Sequence, residues 1–238
     1  MRCALAITLL LLALPAAAAE TSTPEAAAGP AGVAKSPSVN RLGPGAWVQS
    51  GAGPERPLKL PEHVGAGQTL RTSRGSGLEI KFYGDGLLAL LGGTRVTLED
   101  PSRTNVVSTV FLAQGVVFIA HDPSLGPKEV EVKTHTASVR VTGTRVLVAA
   151  EPGPEGTTSV TVLEGKADVA SLDTGETVKL CEADCPGVRT RVIKGKRPER
   201  PWKADPRLIR LALELWKPGA PLLQGDLTDA ILLLVAPH

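Results

Sequence analysis

The chain has 238 residues, 42% of them hydrophobic and 21% charged, an ordinary globular composition with enough apolar material for a core. Its formal net charge is only +2, and its rings are three Trp, one Tyr and three Phe. That argues against a polyanion-binding chain and against a stacking platform for single strands, so no nucleic-acid partner is expected. The four histidines, His63, His121, His135 and His238, are scattered and do not spell a multi-histidine metal centre.

At the N-terminus, Met1-Arg2-Cys3 precedes an apolar run from Ala4 to Leu14, then Pro15 and alanines to Ala19. A short basic start, an apolar stretch and a small-residue A-x-A site are the pattern of a cleaved export signal, expected over residues 1–19 with cleavage after Ala19. The run is shorter than the roughly 20 apolar residues that span a bilayer. Cys3 lies ahead of the apolar run, where a lipid-attachment cysteine does not fall. The mature chain would keep two cysteines, Cys181 and Cys185, and no transmembrane segment, the later run Ala230 to Ala236 being too short to cross. A periplasmic or secreted, oxidising location is expected.

Residues 20–41 are rich in Ala, Pro, Ser, Thr and Gly without periodicity and read as a flexible linker. Regular structure is expected to begin near Leu42 to Trp47. From there to residue 182 the pattern is mainly period two: Leu78 to Phe82, Arg95 to Glu99, Glu129 to Lys133, Ser138 to Thr142 and Ser159 to Leu163 each alternate apolar and polar. Gly65-Ala66-Gly67, Gly84-Asp85-Gly86, Gly92-Gly93, Asp122-Pro123, Glu151 to Pro154 and Asp173 to Gly175 separate them as turns. The expected fold class is all-β, a sandwich or roll of many short, mostly antiparallel strands over residues 42–182. Leu87 to Leu91 and Val116 to Ala120 are more continuously apolar and read as central strands.

Residues 183–204 collect Arg189, Arg191, Lys194, Lys196, Arg197, Arg200 and Lys203 among prolines and read as a basic linker, with an anionic envelope component or an acidic partner as the alternative. A short C-terminal helical extension is expected over residues 205–238. Asp205 is its N-cap and Pro206 its first helical residue, with Pro218-Gly219 as the stop. A second short helix through Val235, or a buried strand over Ala230 to Val235, follows. The apolar face Leu208, Leu211, Ala212 and Leu215 is expected to pack back onto the β domain, covering Trp202 and Trp216.

Three blocks of the β region resemble the FecR domain family. The first is Gly65 to Thr72 followed by the strand Leu78 to Phe82 and the turn Gly84-Asp85-Gly86. The second is Lys133-Thr134-His135-Thr136-Ala137, running into Val141-Thr142-Gly143-Thr144-Arg145-Val146. The third is Thr158 to Val169, with Gly165 between two alternating runs. His135, Thr142 and Val146 depart from the family's usual Pro, Arg and Phe. The resemblance implies an exported β-rich interaction module. The family's namesake relays the state of an iron transporter to a sigma factor through cytoplasmic and membrane-spanning parts, and in this sequence an export signal is expected in their place. Within the motif, Gly143, Thr144 and Gly165 are expected to be structural corners, the glycines at positive φ and the threonine bonding the turn backbone.

No catalytic residue, cofactor-binding residue or metal ligand is assigned. Cys181 and Cys185 miss the C-x-x-C redox spacing by one residue and have no second pair or nearby His for zinc, so a local disulfide is the better reading. Glu79, Asp85, Glu99 and Asp100 are expected on turns or wet strand faces, and His121 on the surface. G-x-S-x-G, H-E-x-x-H and P-loop motifs do not occur. The expected function is therefore a non-enzymatic, exported FecR-like domain that binds another envelope component, a protein or an envelope polymer, without a cofactor. An envelope signalling accessory acting on a separate membrane regulator is the first alternative, and a hydrolase or lyase on a β scaffold the second.

Overall fold

The computed structural model describes residues 37–82, 86–100, 106–121, 129–181, 187–215, 230–231 and 234–235. Alternating sequence becomes strand throughout: β1 (Ser38–Leu42), β2 (Ala46–Ser50), β3 (Arg56–Pro57), β4 (Gln68–Thr72), β5 (Leu78–Phe82), β6 (Gly86–Leu90), β7 (Arg95–Glu99), β8 (Val106–Ala120), β9 (Glu129–Lys133), β10 (Ala137–Ala150), β11 (Thr158–Ser171), β12 (Thr177–Leu180), β13 (Val188–Val192) and β14 (Trp202–Lys203). One helix, α1 (Pro206–Leu215), follows, and residues 230–231 and 234–235 are also helical. Among the described residues the strands form one 14-stranded sheet, antiparallel except for the β8–β9 pair. A twisted sheet of that many strands curls on itself. Here one apolar interior collects Val39 of β1, Val48 of β2, Leu70 of β4, Ile80 of β5, Val96 of β7, Val132 of β9, Val169 of β11 and Val192 of β13. The architecture is the expected all-β class in its roll form.

Strand pairing starts at Ser38, ahead of the expected Leu42, because Val39 is buried and the segment pairs with β5. The three long strands change partners midway. The first part of β8 pairs with β7 and β9, and its last residues with β6 and β10. β10 and β11 pair along their full lengths, but Ser138 to Val141 also pair with β9 and Arg145 to Ala150 with β8. On β11, Thr158 to Val162 pair with β13 and Ala167 to Ala170 with β12.

These changes of direction follow a repeat of fifty residues that the numbering makes visible. Gly93-Thr94-Arg95-Val96 recurs as Gly143-Thr144-Arg145-Val146, and Gly115 recurs as Gly165. The geometry recurs with it. Val96 stands opposite Leu112 in one copy and Val146 opposite Val162 in the other. The Thr94 hydroxyl donates to the Val116 carbonyl at 3.0 Å and accepts from the Val116 amide at 3.0 Å. The Thr144 hydroxyl does the same with the Lys166 carbonyl and amide at 2.6 and 2.9 Å. Each threonine thereby satisfies a donor and an acceptor that the kink removes from the ladder.

The copies differ in their outer faces. On β8, Val117 and Ile119 enter the roll interior, while Val116, Phe118 and Ala120 point outward into a second apolar cluster with Ala89, Leu91, Leu147, Ala149 and Leu163. Leu208 and Ala212 of α1, with Ile231 and Val235, complete that cluster. The central strands are therefore buried on both faces, as their continuous apolar runs require. The equivalent outer positions of the second copy carry Lys166 and Asp168 and stay polar.

The stretch expected as a basic linker instead carries β13 and β14. Counting its cations hides the alternation Val188-Arg189-Thr190-Arg191-Val192, whose Thr190 and Val192 are buried. α1 begins as expected: the Asp205 carboxylate accepts the Arg207 amide at 2.8 Å and Pro206 opens the helix. It packs through Leu208 and Ala212, whereas Trp202 stays exposed; Trp216 lies outside the described residues.

Candidate functional site

The corner residues of the motif come together in space. Gly143 has φ +60° and Gly165 φ +85°. A Cβ on Gly165 would lie 2.4 Å from the Gly143 carbonyl oxygen and 2.8 Å from the Thr144 hydroxyl. Backbone contact of that kind leaves no room for any side chain, independently of the φ. Thr144 also exchanges backbone hydrogen bonds with His121, amide to carbonyl in both directions at 2.9 and 3.1 Å. His121 is thus not on the surface: it is 5% exposed and its ring stacks on Phe82 at 6.3 Å. It ends β8 against the corner, where the adjacent Asp122-Pro123 turn signal suggested a wet position. His135 sits edge-on to Phe111 at 5.1 Å.

The acidic residues divide. Glu79 was expected on a wet face, yet it is only 4% exposed. β1 covers it, with the Asn40 amide donating to its carboxylate and Arg41 at 3.8 Å. The reason is the early start of the sheet at Ser38. Glu131 is also buried and accepts the Ser138 hydroxyl at 2.8 Å. Glu99 is half-buried and pairs with Lys133 at 3.4 Å, and Asp100 is exposed. Asp85 lies outside the described residues. Glu79, Glu99 and Glu131 thus each have a cationic or hydroxyl partner of structural kind. Among the described residues no group of three or more His, Cys, Asp or Glu side chains gathers where a metal could be held.

Cys181 follows β12, buried, with φ +63°, so the chain turns sharply there. Cys185 lies outside the described residues. Beside Cys181, Thr142, Lys166, Asp168, Lys179 and Leu180 line a cleft of about 400 Å³.

The densest charge lies on the C-terminal edge of the sheet. Residues 187–215 hold nine Lys or Arg and three Asp or Glu, a net +6 in a chain of +2. Two of the cations are structural. Arg189 donates to the Leu234 and Val235 carbonyls at 3.1 and 2.6 Å and to the Ser159 hydroxyl at 3.1 Å, tying the last helical residues to the sheet. Burial, with some repulsion from Arg191, lowers its pKa from the ordinary guanidinium range. Arg191 holds Glu199 at 2.8 Å. Of the other seven, Lys194 pairs with Glu155 at 3.4 Å, while Lys196, Arg197, Arg200, Lys203, Arg207 and Arg210 are exposed. Alternation read from side-chain type, rather than from charge, would have found β13.

Among the described residues no helix is long and apolar enough to cross a membrane. No curated protein matches the chain. Two crystal structures of a candidate anti-sigma factor from Parabacteroides distasonis are similar, each with TM-score 0.47 and 18% identity, covering 61% of this chain and 64% of that one. The FecR protein family model matches residues 68–168. That stretch runs from the start of β4 into the second part of β11 and contains both copies of the Gly-Thr corner. Over residues 68–168 this chain is similar to the FecR protein family.

Proposed function

We propose that the protein is an exported, non-enzymatic FecR-domain module that binds another component of the cell envelope. The family supplies the broad class of role, envelope signalling, and the FecR match at residues 68–168 is the observation that carries the reading. The export signal at residues 1–19 and cleavage after Ala19 supply the compartment. In this reading the FecR roll is a rigid carrier: its buried polar groups serve the fold, and its polar outer face and basic edge are left for a partner.

In the same compartment we propose a disulfide between Cys181 and Cys185, pinning the end of β12 where the chain turns toward β13. Intact-mass analysis of non-reduced, alkylated protein should show no added label; two labelled thiols would refute the bridge.

Protein recovered from the periplasm of its host should begin at Glu20 or within two or three residues of it. Cross-linking in intact cells, followed by mass spectrometry, should capture an envelope component at a surface residue of the β region. An unprocessed Met1 terminus would overturn export. Absence of any adduct above that of an unrelated exported protein would overturn binding.

A further inference from the structure

The hairpin formed by β13 and β14 is built unlike the rest of the surface. Its two strands pair as Arg189 with Trp202 and Val188 with Lys203, and the Glu199 amide returns to the Arg191 carbonyl at 2.9 Å. β14 ends the strand path, so its outer side carries no further strand among the described residues. Directly paired residues share a face, which puts Trp202 on the Arg189 side of the sheet, the side where Arg189 holds Leu234 and Val235. Yet the indole is not covered: Trp202 is 39% exposed, and neither α1 nor the second apolar cluster takes it in.

Around it the charge is one-sided. Lys196, Arg197, Arg200 and Lys203 lie within eight residues, all exposed, and none makes an ion pair among the described residues. The one carboxylate in the segment, Glu199, is taken by Arg191. Lys196, Arg197, Pro198, Glu199 and Arg200 line a surface hollow of about 530 Å³. Like-charged side chains left together without partners repel one another and gain from an anion that spans them.

An exposed indole set among cations is matched by one kind of surface better than by a soluble polyanion. A bilayer presents phosphates at its face and an interfacial layer where the amphipathic Trp ring is most stable, while Lys and Arg reach the phosphates on flexible stems. A carbohydrate or nucleic-acid chain would ask for several stacking rings, and the edge has one. We propose that the β13–β14 hairpin docks by the open edge of β14 on an anionic phospholipid surface, with Trp202 on one face at headgroup level and Lys203 on the other joining Lys196, Arg197 and Arg200 on the phosphates. This rests on the reading of the protein as an envelope-binding module and names the component.

The test is co-sedimentation of the full chain with vesicles of phosphatidylcholine alone and with phosphatidylglycerol added. Binding should require phosphatidylglycerol and weaken as salt rises. The exposed quadruple variant K196Q/R197Q/R200Q/K203Q should keep its melting midpoint. It should lose at least about tenfold in affinity, since each cation near such a surface contributes on the order of fivefold. Trp202→Ala should bind more weakly, and the blue shift of tryptophan emission on vesicle addition should vanish in Trp202→Phe. Equal binding to both vesicle types, or an unchanged quadruple variant, would overturn the proposal. If polyglutamate releases the protein from vesicles no better than salt of equal ionic strength, the lipid assignment stands. If it binds more tightly than the vesicles, the edge recognises an acidic polymer and the lipid assignment is overturned. An envelope adduct captured in cells by a variant that does not bind vesicles would refute the lipid surface and keep the wider binding reading.

Discussion

Two glycines at equal φ separate backbone strain from close approach. Gly165 and Gly153 both have φ +85°, but a Cβ on Gly165 meets the Gly143 carbonyl at 2.4 Å whereas one on Gly153 meets nothing within 4 Å. Gly153→Ala should therefore cost only the conformational penalty, on the order of 1 kcal/mol. Gly165→Ala must also push apart the stacked corner and should cost roughly 3 kcal/mol or more. For a domain of this size that separates the melting midpoints by about 4–8 °C, measurable by thermal denaturation. Equal midpoints would show that the corner yields without cost. Gly115, whose Cβ would lie 2.5 Å from Thr94, should behave as Gly165 does. Positive φ at residues 143 and 165 could be read from the sequence, since a Gly between two alternating runs signals a kink. The close approach could not, because it depends on which strand lies across the kink. Glu79 was misread for a similar reason: nothing in Leu78 to Phe82 tells that β1 will cover its polar side.

At the scale of elements, α1 is held by few residues. Leu208 is fully buried and touches the outward cluster of Phe118, Leu147 and Leu163, while Arg207, Arg210 and Leu213 face water. Leu208→Ala removes the largest apolar contribution of α1 to that cluster and should cost about 2–5 kcal/mol if the helix stays in place. If the helix detaches instead, the loss is capped at the docking energy of the C-terminal segment. Hydrogen exchange decides between these: amides of α1 should lose protection first, with β8, β10 and β11 unchanged. Uniform loss across the sheet would mean that the helix is part of one cooperative unit with it. Asp205-Pro206 marked the start of this helix in the sequence because capping is local chemistry. The strand β13 was legible too, as Val188-Arg189-Thr190-Arg191-Val192, but its cations made the stretch look like a linker. Charge is a property of the exposed face of a strand and says nothing about the other face, on which Thr190 and Val192 are buried.

For the whole molecule, the fifty-residue repeat is the feature that the sequence carried most openly and that strand-by-strand reading passes over. Gly-Thr-Arg-Val occurs twice at one spacing from a following Gly, and one supersecondary unit used twice explains why β10 and β11 echo β7 and β8. What the repeat does not encode is the difference between its copies, and that difference sets the surface: one outer face is sealed by the C-terminal helices and the other is polar. The chain's response to acid follows from surface pairs spread along this frame. Arg71 holds the Glu55 carboxyl below its ordinary 4.5 by hydrogen bonding. Arg56 does the same for Glu62, helped by the Lys59 amide. Arg207 holds Asp205 below 3.8. A carboxylate whose folded pKa is depressed stabilises the fold above its unfolded value and loses that contribution as pH falls through the folded one. The melting midpoint should thus be flat from neutrality to about pH 5 and decline below it. These pairs are exposed, so the decline should be shallow and smaller still at high salt. Glu62→Gln cannot gain or lose the charge and should flatten part of the acid limb, leaving the midpoint at pH 3 nearest to that of the unaltered protein. A midpoint that rises on acidification would mean that these three pairs do not stabilise the fold.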